Sequence, residues 1–339
     1  MKNMHKTIRI RAAWLTMLLI TSAAAVAGQE ANTLQPALEY AKDNASTSLL
    51  VLQKGKLLAE GHWQIKGSQR FRAMKPSTNA DGESIEDVAS IQKSVVSYLV
   101  GIAVGKGLLD IETTVSRWLG AGWSAAARDK EDKILIRHLL SMTSGLKPDG
   151  TYVAPAGERW AYNTRVYSRL VGVLEAASES TIDHISQQWL LEPAGMKDSG
   201  WAKRTWIRGD ADANRLGFRT TARDLALFGQ LLLQQLRGET VSQPIDPDYL
   251  RNSLAPSQTL NRAYGYLWWL NGQPVARRGG AVKPTLLAAA PADLFAAQGA
   301  LGRKLYIVPS LDLIVVRMGD APPDKDFEEQ LWRRIMQAL

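Results

Sequence analysis

Residues Val88 to Asp110 read VASIQKSVVSYLVGIAVGKGLLD, and no other stretch restricts the fold of this chain as much. The run is apolar around most of its circumference and long enough for several helical turns before Gly107. A helix with so little polar face belongs inside a core rather than on a surface. Ser90 and Lys93 interrupt that pattern near its start. Three residues apart, they share one helix face, so burying the run also buries a lysine one turn after a hydroxyl.

That pairing has a chemical use. A serine hydroxyl at its ordinary pKa is a poor nucleophile and needs a base within hydrogen-bond reach. Histidine is scarce here, so a neutral lysine is the candidate base. Holding a lysine neutral near pH 7 costs roughly 4 kcal/mol, within what burial and neighbouring positive charge supply. The free N–H groups and dipole of a helix start also favour negative charge on the serine oxygen. The competing reading is a helix cap followed by a lysine that snorkels to solvent. Spacing alone is a cheap signal: Ser144-Gly145-Leu146-Lys147 shares it. Gly145 within that stretch and Pro148-Asp149-Gly150 after it argue against a helical turn there.

The remaining pattern builds a frame around the central helix. Leu49–Leu52 and Lys56–His62 flank Lys54-Gly55 and predict a β-hairpin. Helical patterns dominate from Asp110 to Gln235, with an expected capping box at Thr221-Ala222-Arg223-Asp224. Strand character returns in Tyr264–Leu270, Arg303–Val308 and Leu313–Met318, with Pro309-Ser310 as a turn. Phe327, Leu331, Trp332, Ile335, Met336 and Leu339 then recur at helical spacing. The expected fold class is α/β, more narrowly α+β. One antiparallel sheet from the N- and C-terminal segments is flanked by helices and carries an inserted helical lobe. The sheet subdomain is expected over about residues 46–88 and 262–339, the lobe over about 107–240, with a site in the cleft between them.

Residues 1–27 stand apart from this frame. Lys2, Lys6, Arg9 and Arg11 form a basic start, Ala12–Ile20 an apolar run, and Ala25-Val26-Ala27 a cleavage pattern. Together they read as a secretory signal peptide, with an uncleaved anchor as the alternative. The apolar run is too short to favour a membrane span, so no stable membrane anchor is expected and the location is periplasmic or secreted. The leader holds four basic residues and no acid, so the chain's +8 becomes +4 on residues 28–339. That mild excess forms no basic block, which argues against nucleic acid as a partner. A chain of this size buries roughly three quarters of its unfolded surface, enough for one large domain or two coupled ones. Without cysteine it has neither disulfides nor a thiol nucleophile nor a site for a lipid anchor. His62, His138 and His184 fall in no metal-ligand spacing, so neither a metal nor a cofactor is expected.

Two further segments add to Ser90 and Lys93. PAGERWAYNTRVYSRLVGVLE, Pro155 to Glu175, places Tyr162 where a loop enters a helix. A phenol beside a lysine can relay a proton to a leaving group; the competing reading packs Tyr162 against Trp160. AQGALGRKLYIVPSLDLIVV, Ala297 to Val316, leads into a strand through Gly299 and Gly302. Backbone N–H groups there can face a ligand oxygen, or the segment is a plain turn.

Taken together, these stretches resemble the serine β-lactamase and penicillin-binding-protein superfamily. The likeness is greatest to its class C-like branch, with family VIII esterases and 6-aminohexanoate-dimer hydrolases. It runs from about Leu49 to Met318. SIQKS matches the S-x-x-K motif. IRHLLSMTSGL (Ile136–Leu146), WLLEPAGM (Trp189–Met196), TTARDLALFGQLLL (Thr220–Leu233) and YGYLWWL (Tyr264–Leu270) are similar to further stretches of the branch, in the same order. The resemblance implies that Ser90 is the acylated nucleophile and Lys93 its base partner. Tyr162 falls on the tyrosine of a Tyr-x-Asn motif, and Gly299 on the glycine of a Lys/His-Thr-Gly strand. The backbone N–H groups of Ser90 and Ala300 are the implied oxyanion hole.

Two departures bear on substrate. Thr164 stands in place of the motif asparagine, and Ala297-Gln298 in place of the cation and hydroxyl that hold the carboxylate of β-lactams and D-Ala peptides. Thr164, Gln298, Gly299 and Arg303 are the expected substrate contacts, with Arg303 or Lys304 as a replacement cation. The expected activity is that of an exported serine hydrolase acting on a small amide or ester through a covalent acyl-enzyme. A β-lactamase or D-Ala-D-Ala carboxypeptidase, and a catalytically degenerate binding or regulatory protein, are the alternatives.

Overall fold

The computed structural model describes residues 33–205, 207, 214–276 and 281–339; the leader with its cleavage pattern lies outside the described residues. Strands β1 (Ser46–Gln53) and β2 (Lys56–His62) form the expected hairpin. Lys54 and Gly55 both take positive φ, +50° and +72°, the pairing that a tight two-residue hairpin turn requires.

The two ends of the chain meet in one sheet. Its order is β2-β1-β12-β11-β10-β7, every pair antiparallel, where β7 is Trp269–Leu270, β10 Phe295–Gln298, β11 Lys304–Val308 and β12 Leu313–Gly319. Alternation along the strands divides the core. Leu49, Val51, Leu313 and Val315 face the terminal helices Gln35–Asp43 and Phe327–Ala338. Leu50, Leu52, Ile314 and Val316 face the helix Gln92–Gly105 and the helical middle of the chain. With both faces covered, β1 and β12 are buried along almost their whole length.

A second sheet, ordered β3-β4-β6-β5, comprises Ser77–Thr78, Ser84–Asp87, Gly200–Lys203 (β5) and Leu216–Thr220 (β6). A ribbon of β8 (Val275–Ala276) and β9 (Val282–Lys283) lies apart from both. Strand β4 delivers the chain to Ser90 and the central helix, whose residues 92–103 are all buried. Among the described residues no helix is long and apolar enough to cross a membrane.

Two local expectations are corrected. Only Trp269–Leu270 of the expected strand 264–270 pairs as a strand. Leu267 turns to φ +64°, and its carbonyl and that of Tyr266 accept from Ser94 and Ser97 on the central helix at 2.8 and 2.7 Å. Those carbonyls are thereby taken from a ladder. The capping box is half made: Thr221 Oγ1 accepts from the Asp224 N–H at 3.1 Å. The Asp224 carboxylate instead accepts from the Asp198 N–H and the Ser199 hydroxyl, each at 2.7 Å.

Candidate active site

Strand β4 ends at Asp87, and the chain reverses at Ala89, a non-glycine residue at φ +51°. Such a conformation costs about 1–3 kcal/mol and persists only when its surroundings hold it. Here the Ala89 N–H donates to Asp87 Oδ1 at 2.8 Å. A short 3₁₀ turn, Ala89–Ile91, then runs into the helix Gln92–Gly105. The helix expected from Ser90 therefore begins with a tighter turn, and Ser90 sits half-buried at its mouth.

Lys93 lies below it, only 2% exposed, with Nζ 3.0 Å from Ser90 Oγ. The ammonium rests over the rings of Tyr167 and Tyr162, 4.6 and 5.0 Å from their centroids. Among the described residues no carboxylate pairs with it. Burial therefore pushes its pKa down from 10.5 to about 7, helped by the nearby Arg204 charge. A neutral amine within reach of Ser90 is accessible at ordinary pH.

Tyr162 enters from the loop before the helix Thr164–Tyr167, which Asn163 caps by accepting from the Val166 N–H. The Asn163 side-chain amide donates to Leu146 O at 3.0 Å, so both its polar ends are engaged. Tyr162 is 38% exposed as a residue, yet its phenol is enclosed beside Ser90. Burial raises the phenol to about 12, opposed by an interaction with the Ser90 side chain. The ring stacks on Trp269 at 6.1 Å and meets Tyr264 edge-on at 6.2 Å, while Trp160 packs against the same two rings. Packing with aromatic neighbours and presentation of the phenol to Ser90 coexist here.

The third side comes from the end of β10. A Cβ on Gly299 would stand 2.3 Å from Val88 O and 3.3 Å from Ile91 Cγ1, so only glycine lets this strand approach the Ser90 turn so closely. The Gly299 N–H donates to Arg303 O at 2.8 Å, and the following turn reverses at Leu301, φ +66°. Arg317, fully buried, donates to Leu301 O at 2.8 Å and fixes that turn. Among the described residues, neither the Ser90 nor the Ala300 N–H donates to a group outside its own turn. Both stand at the junction of the two elements.

The expected substrate contacts divide. Gly299 abuts the Ser90 turn, and Thr164 is half-buried as the first residue of its helix. Arg303 is not at the cleft: it is wholly buried and Nε donates to Glu86 Oε2 at 2.6 Å. It precedes β11, and its guanidinium passes over Phe71 to reach β4. Lys304 is likewise committed, to Glu328 at 2.7 Å and to Gln298 Oε1 at 3.0 Å. Ala297 is buried in the core. None of these positions offers a free cation.

Sequence reasoning missed the support beneath Lys93. Arg204 forms a two-pronged pair with Asp87 at 2.6 and 2.8 Å and donates to Gln92 Oε1 at 2.7 Å. Gln92 in turn donates to the Tyr167 hydroxyl at 3.2 Å. No spacing rule links Asp87 to a residue so far along the chain. The one local signal was an acid at a strand end just before the candidate serine.

The histidines serve elsewhere. His138 Nδ1 accepts from the Leu135 N–H at 3.0 Å, and burial pushes that ring down to about 4. Glu60, His62 and Glu83 bring ligand-type atoms within 4.8 Å of one another. Arg223 pairs with both carboxylates at 2.7 Å, so positive charge is already supplied there. Cavities of about 300 and 410 Å³ lie beside His62 and beside Arg165 and Arg169, and neither is lined by Ser90, Lys93 or Tyr162.

A family profile described as Beta-lactamase matches residues 31–339. Among solved structures, EstCE1, a hydrolase with promiscuous acyltransferase activity, aligns at a TM-score of 0.66 and 17% identity over 92% of this chain and 99% of that one. A class C beta-lactamase aligns at 0.65 and 14% identity over 93% and 96%. A Bacillus anthracis protein assigned as a 6-aminohexanoate-dimer hydrolase aligns at 0.63 and 17% identity over 88% and 80%. At such identities these structures establish the fold.

Proposed function

The chain belongs to the beta-lactamase family of serine hydrolases, and from that premise we propose that it is an exported enzyme that cleaves a small amide or ester through an acyl-enzyme on Ser90. The observation that carries this reading is the 3.0 Å contact between Lys93 Nζ and Ser90 Oγ, with the amine buried and, among the described residues, free of any carboxylate partner. Neutral Lys93 takes the Ser90 proton as Oγ attacks the carbonyl carbon of the substrate. The oxygen of the tetrahedral intermediate gathers negative charge and accepts from the N–H groups of Ser90 and Ala300. Collapse breaks the bond to nitrogen or oxygen, and the leaving group takes up a proton through Tyr162. Water then attacks the acyl carbon as it gives a proton to neutral Lys93, and that proton returns to Ser90 Oγ as the acid departs. With its phenol raised to about 12, Tyr162 spends its resting time as a donor, which suits that relay.

Substrate class follows from what surrounds the serine. Arg303 and Lys304 are committed to Glu86 and Glu328, and Ala297 fills the position where relatives carry a cation. The wall beside Ser90 is instead aromatic, formed by Tyr162, whose ring is backed by Trp269 and the buried Tyr264, with Trp160 packed behind them. An uncharged substrate with a flat or aliphatic group suits such a wall better than one bearing a carboxylate. The basic and apolar leader of residues 1–27 supports export.

The test uses wild type and Ser90→Ala with nitrophenyl esters, nitroanilides and nitrocefin. Ester or anilide turnover in wild type, falling by roughly three orders of magnitude or more in Ser90→Ala, is expected. Equal turnover by both proteins overturns the assignment. Nitrocefin turnover faster than that of every ester and anilide replaces it with a β-lactamase, and silence toward all probes in a folded protein replaces it with a binding module.

A further inference from the structure

Asp87 and Arg204 are separated by a long stretch of chain, yet their side chains are each 4% exposed and locked together. Asp87 faces both ways. Oδ1 accepts from the Ala89 N–H at 2.8 Å and from Arg204 Nη2 at 2.8 Å, while Oδ2 accepts from Arg204 Nε at 2.6 Å. The carboxylate thus grips the one residue whose left-handed backbone aims Ser90 at the cleft. From the other pole of the pair, Arg204 Nη2 reaches Gln92 Oε1 at 2.7 Å, and Gln92 holds the Tyr167 hydroxyl. The Tyr167 ring is the surface on which the Lys93 ammonium rests, 4.6 Å from Nζ.

A buried ion pair is not by itself a stabilising feature, because desolvation offsets much of the attraction. Its place here points to another use. We propose that the Asp87–Arg204 pair is a positioning device that sets both the pose of Ser90 and the charge state of Lys93. This inference rests on the reading of Ser90 and Lys93 given above.

The groups facing Lys93 define what the pair can do. Ser90 approaches from the preceding turn, Tyr162 and Tyr167 from the loop and helix on the far side, and Arg204 from the end of β5. Both tyrosines are held above their ordinary pKa by burial and stay neutral. Among the described residues Arg204 is therefore the charge that acts on the amine, and it reinforces the effect of burial. Asp87 tempers it through Nε and Nη2 of the guanidinium, the latter shared with Gln92. Removing Arg204 takes away the charge that disfavours the ammonium, and removing Asp87 takes away a counterweight to that charge while Asn214 and Gln92 still accept from Arg204, so the two losses act on Lys93 in opposite directions.

The experiment follows the rate of Ser90 labelling by a fluorophosphonate between pH 5 and pH 10, which needs no knowledge of the natural substrate. In wild type the rate rises along a limb set by loss of the Lys93 proton. Arg204→Gln is expected to move that limb upward by about one pH unit. Asp87→Asn, which keeps an acceptor for the Ala89 N–H, is expected to move it downward with little change in plateau. Asp87→Ala is expected to lower the plateau by roughly tenfold, since the Ala89 N–H then loses its acceptor. Arg204→Lys keeps the charge and is expected to keep the wild-type limb. Limbs that coincide in Arg204→Gln, Asp87→Asn and wild type overturn the proposal. If Arg204→Gln does not fold, an Asp87→Asn limb at or above the wild-type position overturns it alone. Failure of wild type to label on Ser90 at all would instead remove the underlying reading of the site.

Discussion

Gly299→Ala is the substitution whose effect the geometry fixes most sharply. The backbone at Gly299 has φ −110°, open to any residue, so conformational strain plays no part. The obstacle is Val88 O, 2.3 Å from where the new Cβ would sit, with Arg303 Cβ at 3.2 Å and Ile91 Cγ1 at 3.3 Å behind it. Reaching an ordinary contact of 3.4 Å from Val88 O requires β10 and the Ser90 turn to separate by about 1 Å. A displacement of that size between catalytic groups costs roughly 100-fold in rate, equivalent to about 2.7 kcal/mol of barrier. Overpacking should cost a further 1–3 kcal/mol or so in stability. Gly200→Ala is the control, because its Cβ meets nothing within 4 Å. The assay is the second-order rate of fluorophosphonate labelling, with thermal unfolding measured on the same samples. Gly299→Ala is expected to label about a hundredfold more slowly than Gly200→Ala while remaining folded. Labelling at the control rate would refute the claim that this strand end and the Ser90 turn jointly form the site.

Other consequences can be checked alongside. Lys93 has its pKa lowered to about 7 in the folded state, so between there and its ordinary 10.5 the unfolded chain holds the extra proton. Stability therefore rises with pH across that window, and the penalty for burying the amine is greatest below it. Lys93→Met is expected to be more stable at pH 7 by on the order of 4 kcal/mol, a gain that shrinks toward pH 10. A gain that stays constant with pH in denaturant titrations would contradict this. Arg303→Met strands the buried Glu86 carboxylate and is expected to cost about 3–5 kcal/mol, with part returned in Glu86→Gln/Arg303→Met. Its folded fraction should keep the wild-type KM, whereas a raised KM would put Arg303 back in the cleft. Thr221→Ala removes one N-cap bond and is expected to cost about 1 kcal/mol by urea unfolding.

What could be read from the sequence was what is local or periodic. The Ser90–Lys93 contact needs only one turn of helix, and the hairpin needs only Lys54-Gly55 between two apolar runs. Joining the chain ends in one sheet followed from where strand character stops and resumes. What failed depended on phase or on distant partners. Arg303 looked available to substrate because a strand pattern does not say which residue the preceding turn will rotate inward, and Glu86 was waiting on β4. The segment Tyr264–Leu270 carries strand-forming residues, but serines of the central helix take two of its carbonyls. Thr221 and Asp224 had the right spacing for mutual capping, and the carboxylate found Ser199 instead. Arg204 carried no sequence signal, since its meaning depends on Asp87 and Lys93 being brought to it by the fold.

The central claim is that the amine of Lys93 draws the proton from Ser90 and makes its oxygen attack a carbonyl carbon. Peptide mapping by mass spectrometry after rapid quenching of a slowly turned-over ester tests this most directly, in wild type, Lys93→Met and Ser90→Ala. An acyl group is expected on the peptide containing Ser90 in wild type, nearly lost in a folded Lys93→Met and absent in Ser90→Ala. Acylation of Ser144 or another residue, or undiminished acylation in Lys93→Met, would contradict it.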